Sequence, residues 1–372
     1  MSTPVFTAPK LVIEPRVIVA DDSAVMRQMI SDLLVEAGCK VVAFATNGIE
    51  ALAACQLHKP DVLTLDLLMP GLDGLGVLDG LARMNLPTKV VVVSSFSTSL
   101  VERAVDVLSR GATEVVRKPA AGVSFGEFTR DVTDKVMIAG SAQQNLTWLA
   151  STPATASAGT STNQVRSARI GDPALPPPAT RSVISTKVLI IATSTGGPRA
   201  LGDLAPLLPV PLGAGSVIVQ HMPAGFTKSL ARRLNGLTRL DVREAESGDE
   251  LDSAAMLVAR AGEHLRFSRK GIAQLSADAA IGGVRPRADL TITDLTAIHG
   301  RRIVLAVMTG MGRDGLEGAR AVKSAGGIVI AQSERDCTVY GMPRHVIEAG
   351  LADHVATLSE LPDVIYEAMS AR

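Results

Sequence analysis

Short, almost unbroken runs of β-branched and aliphatic residues recur along the chain. They alternate with longer stretches in which apolar and polar positions mix at helical spacing. In the first part the runs are RVIVA (16–20), KVVAF (40–44), DVLTL (61–65), KVVVV (89–93) and TEVVR (113–117). In the last part they include VLIIA (188–192), SVIVQ (216–220), IVLAV (303–307) and GIVIA (327–331). Apolar runs without alternation suit strands buried on both faces, and their spacing predicts βα units around a parallel sheet in each half, an α/β protein. Between 239 and 274 shorter runs follow one another with no helical stretch, which predicts an antiparallel edge.

The periodicity breaks over 139–186, which is rich in Ser, Thr, Ala and Pro and contains Pro176-Pro177-Pro178. So long a stretch without pattern is foreign to a compact domain, so it predicts a flexible linker between a domain at 15–138 and a second at 187–370. Of the 372 residues 47% are hydrophobic and 20% charged, enough for packed cores and too apolar for a disordered chain. Lys+Arg and Asp+Glu both total 37, which argues against a nucleic-acid binder acting through a bulk basic surface though not against a local patch; the second half also lacks a helix-turn-helix signal. The 3 Cys, an odd number without a C-x-x-C, support neither a disulfide framework nor a cysteine zinc site. No apolar run approaches the roughly 20 residues that span a bilayer, and the first residues show no secretory signal. The expectation is a cytoplasmic protein without membrane insertion.

In a doubly wound sheet ligands bind beyond the carboxyl ends of the strands. In the first half, Asp21-Asp22, Asp66, Ser94-Ser95 and Lys118 follow successive predicted strands. Taken singly, these residues read as helix caps or solvated termini. Together they put three carboxylates, a hydroxyl and a lysine on one rim. Clustered carboxylates repel one another unless a cation joins them, and hard oxygen donors suit Mg²⁺. With the ion and Lys118 neutralising an incoming phosphoryl group, Asp66, between the others, is the nucleophile.

The second half repeats the pattern with different chemistry. Ser194, His221 and Asp314 each follow a predicted strand, the combination of an activated hydroxyl, a base and an acid that orients the base. Gly196-Gly197 after the serine would let backbone N–H groups approach an oxyanion near a helix start. The order Ser, His, Asp and the elbow Ala192-Thr193-Ser194-Thr195-Gly196 disfavour an α/β-hydrolase. The remaining histidines, His264 among them, are read as structural.

RVIVADDSAVMRQMI, DVLTLDLLMPGLDG and VVRKP resemble a response-regulator receiver domain. STGG, VQHMPAGFTKSLARRLN, VMTGMGRDG, AQSERDCTVYGMPR and RPRAD resemble the catalytic domain of the chemotaxis protein-glutamate methylesterase family, CheB. This resemblance implies a flavodoxin-like (βα)5 receiver followed by a doubly wound, mainly parallel methylesterase domain. It makes Asp66 the phosphoacceptor, Asp21 and Asp22 its metal-binding partners, Ser94 the switch hydroxyl and Lys118 the lysine on the phosphoryl group. Ser194 becomes the nucleophile, His221 the base, Asp314 the orienting acid, Thr195 a supporting hydroxyl and the Met311 N–H an oxyanion donor. The YGMP loop at 340–343 is expected near the cleft. The implied activity is hydrolysis of γ-glutamyl methyl esters on chemoreceptors and deamidation of receptor glutamines, with a chemotaxis histidine kinase as phosphodonor. Mg²⁺ serves the receiver, and the ester chemistry needs no cofactor. In the family the unphosphorylated receiver covers the catalytic cleft. Departures include Ala192-Thr193 before the nucleophile and Arg287 where a small hydroxyl is usual, none expected to touch the triad. The rival from another class is a receiver-controlled binding module without turnover.

Overall fold

A computed structural model describes residues 14–95, 98–119, 125–151 and 181–371. The described residues fall into two compact units, one from the residues up to Ser95 with Val115–Ser151, the other from the remainder.

The first half carries strands β1 (Arg16–Ala20), β2 (Lys40–Ala45), β3 (Val62–Leu65), β4 (Lys89–Ser94) and β5 (Glu114–Arg117). They line up as β2-β1-β3-β4-β5, with parallel registers from β2 to β4. Helices α1 (Ala24–Glu36), α2 (Gly48–His58), α3 (Gly74–Arg83), α4 (Thr98–Ser109) and α5 (Phe125–Ser151) alternate with them. Side-chain caps from Ser23, Asn47 and Asp73 start the first three helices by accepting orphan N–H groups. Val17 and Val19 of β1, Val91 and Val93 of β4 and Phe128, Val132 and Val136 of α5 share one core. α5 continues to Ser151, which corrects the predicted boundary: 139–151 is helix, not linker. Its first residue there, Ala139, is buried in the same core, and no proline interrupts the stretch. The rest of the predicted linker up to 180 lies outside the described residues.

The second half contains β6 (Val188–Thr193), β7 (Ser216–Gln220), β8 (Asp241–Glu244), β9 (Ala255–Val258), β10 (His264–Phe267), β11 (Ala273–Ser276), β12 (Ile303–Val307), β13 (Ile328–Gln332) and β14 (His354–Ala356). Seven of these form one parallel sheet in the order β14-β13-β12-β6-β7-β9-β8. Its helices are α6 (Gly197–Leu204), α7 (Phe226–Asn235), α8 (Ala288–His299), α9 (Leu316–Ser324), α10 (Met342–Glu348) and α11 (Leu361–Ser370). The expected antiparallel edge is corrected. β8 and β9 extend the sheet in parallel, and β10 and β11 pair antiparallel as a separate hairpin. Val188, Ile190 and Ala192 of β6 pack with Ile303, Leu305 and Val307 of β12 beneath Ile292 of α8 and Ala319 of α9. Each large side chain so buried contributes roughly 1.5–3 kcal/mol.

From β6 the chain winds one way through β7, and β12 takes up the winding on its other side. The crevice beyond β6 is therefore the point where the strand order reverses, where such sheets bind ligands.

Candidate functional site

At the rim of the first sheet Asp21 follows β1, Asp66 follows β3, Ser94 closes β4 and Lys118 follows β5. The buried Asp66 carboxylate accepts from Ser94 Oγ at 2.7 Å and from the Leu68 N–H at 3.2 Å, and its other oxygen pairs with Lys118 Nζ. The same ammonium lies 2.6 Å from Asp21 Oδ2. One oxygen each from Asp21, Asp22 and Asp66 lies within 4.8 Å of the others, with Asp22 exposed. Burial raises the Asp21 pKa above the usual carboxylate value and the charge of Asp66 adds to it, while Lys118 and the Ser23 N–H work against the rise. Burial opposes the Lys118 charge too, but the two carboxylates outweigh it and hold the lysine pKa up. Three carboxylates facing one ammonium leave negative charge in excess. An all-oxygen donor set with an open side fits a hard divalent cation such as Mg²⁺.

The second sheet brings together Ser194 after β6, His221 after β7 and Asp314 in the loop after β12, from three adjacent strands. Backbone bonds place the serine: its N–H donates to Thr309 O at 3.0 Å and its carbonyl accepts from the Gly197 N–H at 2.8 Å. Gly196, at φ +78°, makes the turn into α6, and a Cβ there would sit 2.3 Å from the Thr338 side chain. The positive end of α6 thus starts three residues beyond the hydroxyl. The His221 N–H donates to Thr193 O at 3.1 Å, and its ring Nε2 meets Asp314 Oδ2 at 2.7 Å. Since Nε2 is engaged with the acid, Nδ1 is the ring nitrogen left to serve a hydroxyl. Among the described residues the Ser194 hydroxyl makes no hydrogen bond to His221; such contacts often form only when substrate is bound. Thr195 is buried, and Met311 is half exposed on the loop that leads to Asp314.

Asp314 is 4% exposed and accepts along both oxygens: Ala288 N–H at 2.6 Å on Oδ2, Asp289 N–H at 2.9 Å and Gly315 N–H at 2.9 Å on Oδ1. Burial works against its charge. The His221 hydrogen bond and charge, with the N–H groups of Asp289 and Ala288, outweigh burial and bring the pKa down to about 2.

Sequence reasoning missed the residues that brace this arrangement. Gln220 Nε2 donates at 2.8 Å to the carbonyls of both Ser194 and His221, tying the turn at Ser194 to the end of β7. Thr309 accepts the Ser194 N–H and donates from Oγ1 to Thr195 O at 2.9 Å. A Cβ at Gly310 would meet Ser194 Cβ at 2.7 Å and Met342 Sδ at 2.6 Å, so only glycine allows this approach. The Gly341 and Met342 N–H groups donate to Gly310 O, which sets the 340–343 loop beside the serine. Gln220 and Thr309 lie inside the segments VQHMPAGFTKSLARRLN and VMTGMGRDG, whose resemblance gave them no role of their own. Arg287 is a correction: expected away from the triad, its Nε lies 3.0 Å from Asp314 Oδ1.

Comparison with known proteins identifies both domains. Residues 189–365 match the CheB methylesterase family and residues 17–125 the response regulator receiver domain. A protein-glutamate methylesterase/protein-glutamine glutaminase of Myxococcus xanthus, the one numbered 5, is 40% identical over 353 residues, 92% of this chain and 94% of the relative. One from Pyrococcus abyssi is 34% identical over 360 residues, 95% of this chain and 93% of the relative. The crystal structure of the Thermotoga maritima CheB methylesterase catalytic domain shares 41% identity at a TM-score of 0.48, covering 50% of this chain and 99% of that one. Among the described residues no helix is long and apolar enough to cross a membrane. With a receiver domain ahead of a methylesterase domain and relatives matched over more than nine-tenths of both chains, this chain belongs to the protein-glutamate methylesterase/protein-glutamine glutaminase family, CheB.

Proposed function

We propose that the chain hydrolyses γ-glutamyl methyl esters on chemoreceptors and deamidates receptor glutamines, under control of phosphorylation at Asp66. The observation that carries the reading is the meeting of Ser194, His221 and Asp314 beyond three adjacent strands, with His221 held to Asp314 at 2.7 Å.

Ser194 Oγ attacks the ester carbonyl as its proton passes to His221 Nδ1. Asp314 holds the ring through Nε2 and stabilises the imidazolium. The carbonyl oxygen becomes an oxyanion, met by the Met311 N–H and by the start of α6. The bond to methoxide then breaks, and the imidazolium returns its proton so that methanol leaves. Water, deprotonated by His221, attacks the acyl-serine and releases glutamate with the serine restored. With a glutamine substrate the leaving group is ammonia and the product is again glutamate. Thr195 supports the nucleophile turn.

At the receiver, Asp66 accepts the phosphoryl group from a chemotaxis histidine kinase. Lys118 and the Ser94 hydroxyl, both already on Asp66, move to the phosphoryl oxygens. Asp21, Asp22 and Asp66 would hold Mg²⁺, which supplies positive charge against the incoming phosphoryl group. This reading puts the protein in the cytoplasm, with the kinase and the receptor signalling helices.

The test is methanol release from methylated chemoreceptor membranes, with and without a small phosphodonor and Mg²⁺. Release that disappears in Ser194→Ala, and that rises with phosphodonor in wild type but not in Asp66→Asn, is the expected result. Turnover that survives Ser194→Ala would rule out the triad, and no release from folded wild type would favour the binding module.

A further inference from the structure

Behind the triad acid lies a pair of side chains that the reaction scheme does not use. Arg287, the residue before α8, is half-buried and reaches two carboxylates at once. Its Nη2 donates to Asp289 Oδ2 at 2.7 Å, and its Nε lies 3.0 Å from Asp314 Oδ1. Nη1 adds a longer bond to Ile281 O at 3.3 Å. The Arg287 backbone is pinned as well, its N–H donating to His264 Nδ1 at 3.1 Å. Asp289 meanwhile accepts the N–H groups of Gly315 at 2.8 Å and Gly318 at 2.9 Å, so α8 holds the turn into α9 that carries Asp314.

Two buried carboxylates so close repel one another. Burial and the charge of Asp314 both raise the Asp289 pKa, while the Gly318 N–H and Arg287 oppose the rise. One arginine therefore balances one of two negative charges, and the cluster presents a net single charge to His221. The other charged groups do not alter this count. Arg313 and Glu317 flank Asp314 but are exposed, as is Lys228 on α7 after His221. His264, fully buried on β10, has Nε2 on Ala279 O at 3.1 Å. A carbonyl only accepts, so Nε2 carries the hydrogen and Nδ1, accepting from Arg287, is bare: the ring is neutral.

We propose that Arg287 is a positioning residue for the triad acid, which cancels the Asp289 charge so that His221 faces one carboxylate charge rather than two. The inference rests on Ser194, His221 and Asp314 acting as the triad. It belongs to this chain's own sequence, since the family resemblance implies a small hydroxyl at this position. A second uncancelled negative charge would favour the imidazolium over the free base.

The experiment is the pH dependence of methanol release from methylated chemoreceptor membranes, with thermal melting to establish folding. Arg287→Gln is expected to move the acid limb of the profile to higher pH by about one unit, with a smaller change in the plateau. Asp289→Asn keeps an oxygen for the Gly315 and Gly318 N–H groups and is expected to move the limb the other way. The double variant, which removes one charge of each sign, should return close to wild type, and Arg287→Lys should keep the limb in place. Packing damage alone gives no such opposite signs. A limb that stays put in both single variants, or that moves the same way in both, overturns the proposal. Should Arg287→Gln not fold, Asp289→Asn decides alone: a shift to lower pH supports the charge balance and an unmoved limb refutes it. Full activity in Asp314→Asn would instead remove the triad reading on which it stands.

Discussion

Asp21 and Asp314 are both buried aspartates beyond the ends of parallel strands, and burial is the largest influence on each, yet their pKa values move in opposite directions. Asp21 shares Lys118 with Asp66 and rises; Asp314 has His221, Arg287 and three backbone N–H groups around it and falls to about 2. The comparison separates burial from donor supply, and donor supply decides the sign. It also separates two kinds of site. The receiver rim has more negative charge than its own cation offsets, which suits a metal ion and a transferred phosphoryl group. Asp314 is supplied with donors by the protein itself and stays ionised, which suits the proposed role of orienting a base. One site is completed from outside, the other from within.

The sharpest way to break this contrast is to remove the charge from each acid in turn. Asp314→Asn should lower methanol release on the order of a thousandfold or more, because an amide nitrogen facing Nε2 would stabilise the wrong tautomer and could not stabilise the imidazolium. Asp21→Asn should leave the basal rate, measured without phosphodonor, within a few-fold of wild type. An Asp314→Asn enzyme within tenfold of wild type would show that the saturated acid is structural. A smaller effect is expected from Gly310→Ala, whose methyl group would meet Ser194 Cβ at 2.7 Å. Displacing the serine even slightly from its line of attack should cost roughly ten- to a hundredfold in rate, with stability lowered by about 1–3 kcal/mol. A rate loss no larger than the stability change accounts for would mean that the serine's position tolerates movement.

Much of this was legible in the chain. The runs at 16–20, 216–220 and 303–307 coincide with β1, β7 and β12, because a strand covered on both faces has an undivided apolar sequence. The three adjacent strands placed Ser194, His221 and Asp314 for the same reason, since a strand's end fixes where the next residue emerges. β8 and β9 were readable as strands but not in direction, because DVRE and AMLV carry no mark of which neighbour they pair with. β14 is three residues long with two exposed, too short for a pattern. α5 outran its prediction because Ser and Thr in a helix look compositionally like linker. Gln220 acts through its amide on two carbonyls and Thr309 partly through its own backbone, which no motif spells out. Arg287 reaches Asp314 only because α8 packs on α9, a contact the local sequence around neither residue contains.

The mildest prediction addresses the receiver side alone. If Asp21, Asp22 and Asp66 share excess negative charge, Mg²⁺ should bind the folded rim and not the unfolded chain, and so stabilise it by mass action. At ten times its dissociation constant the gain is about 1.4 kcal/mol, or a few degrees in the melting of a domain this size. The gain should vanish on chelation and in Asp22→Asn, which removes an exposed ligand without disturbing a buried contact. Asp314→Asn should melt differently from wild type but respond to Mg²⁺ as wild type does, since its acid is already supplied with donors. Equal stabilisation in Asp22→Asn would mean that the ion binds elsewhere. No stabilisation at any Mg²⁺ concentration would mean that Lys118 balances the rim, and the two sites would then differ in chemistry but not in completeness.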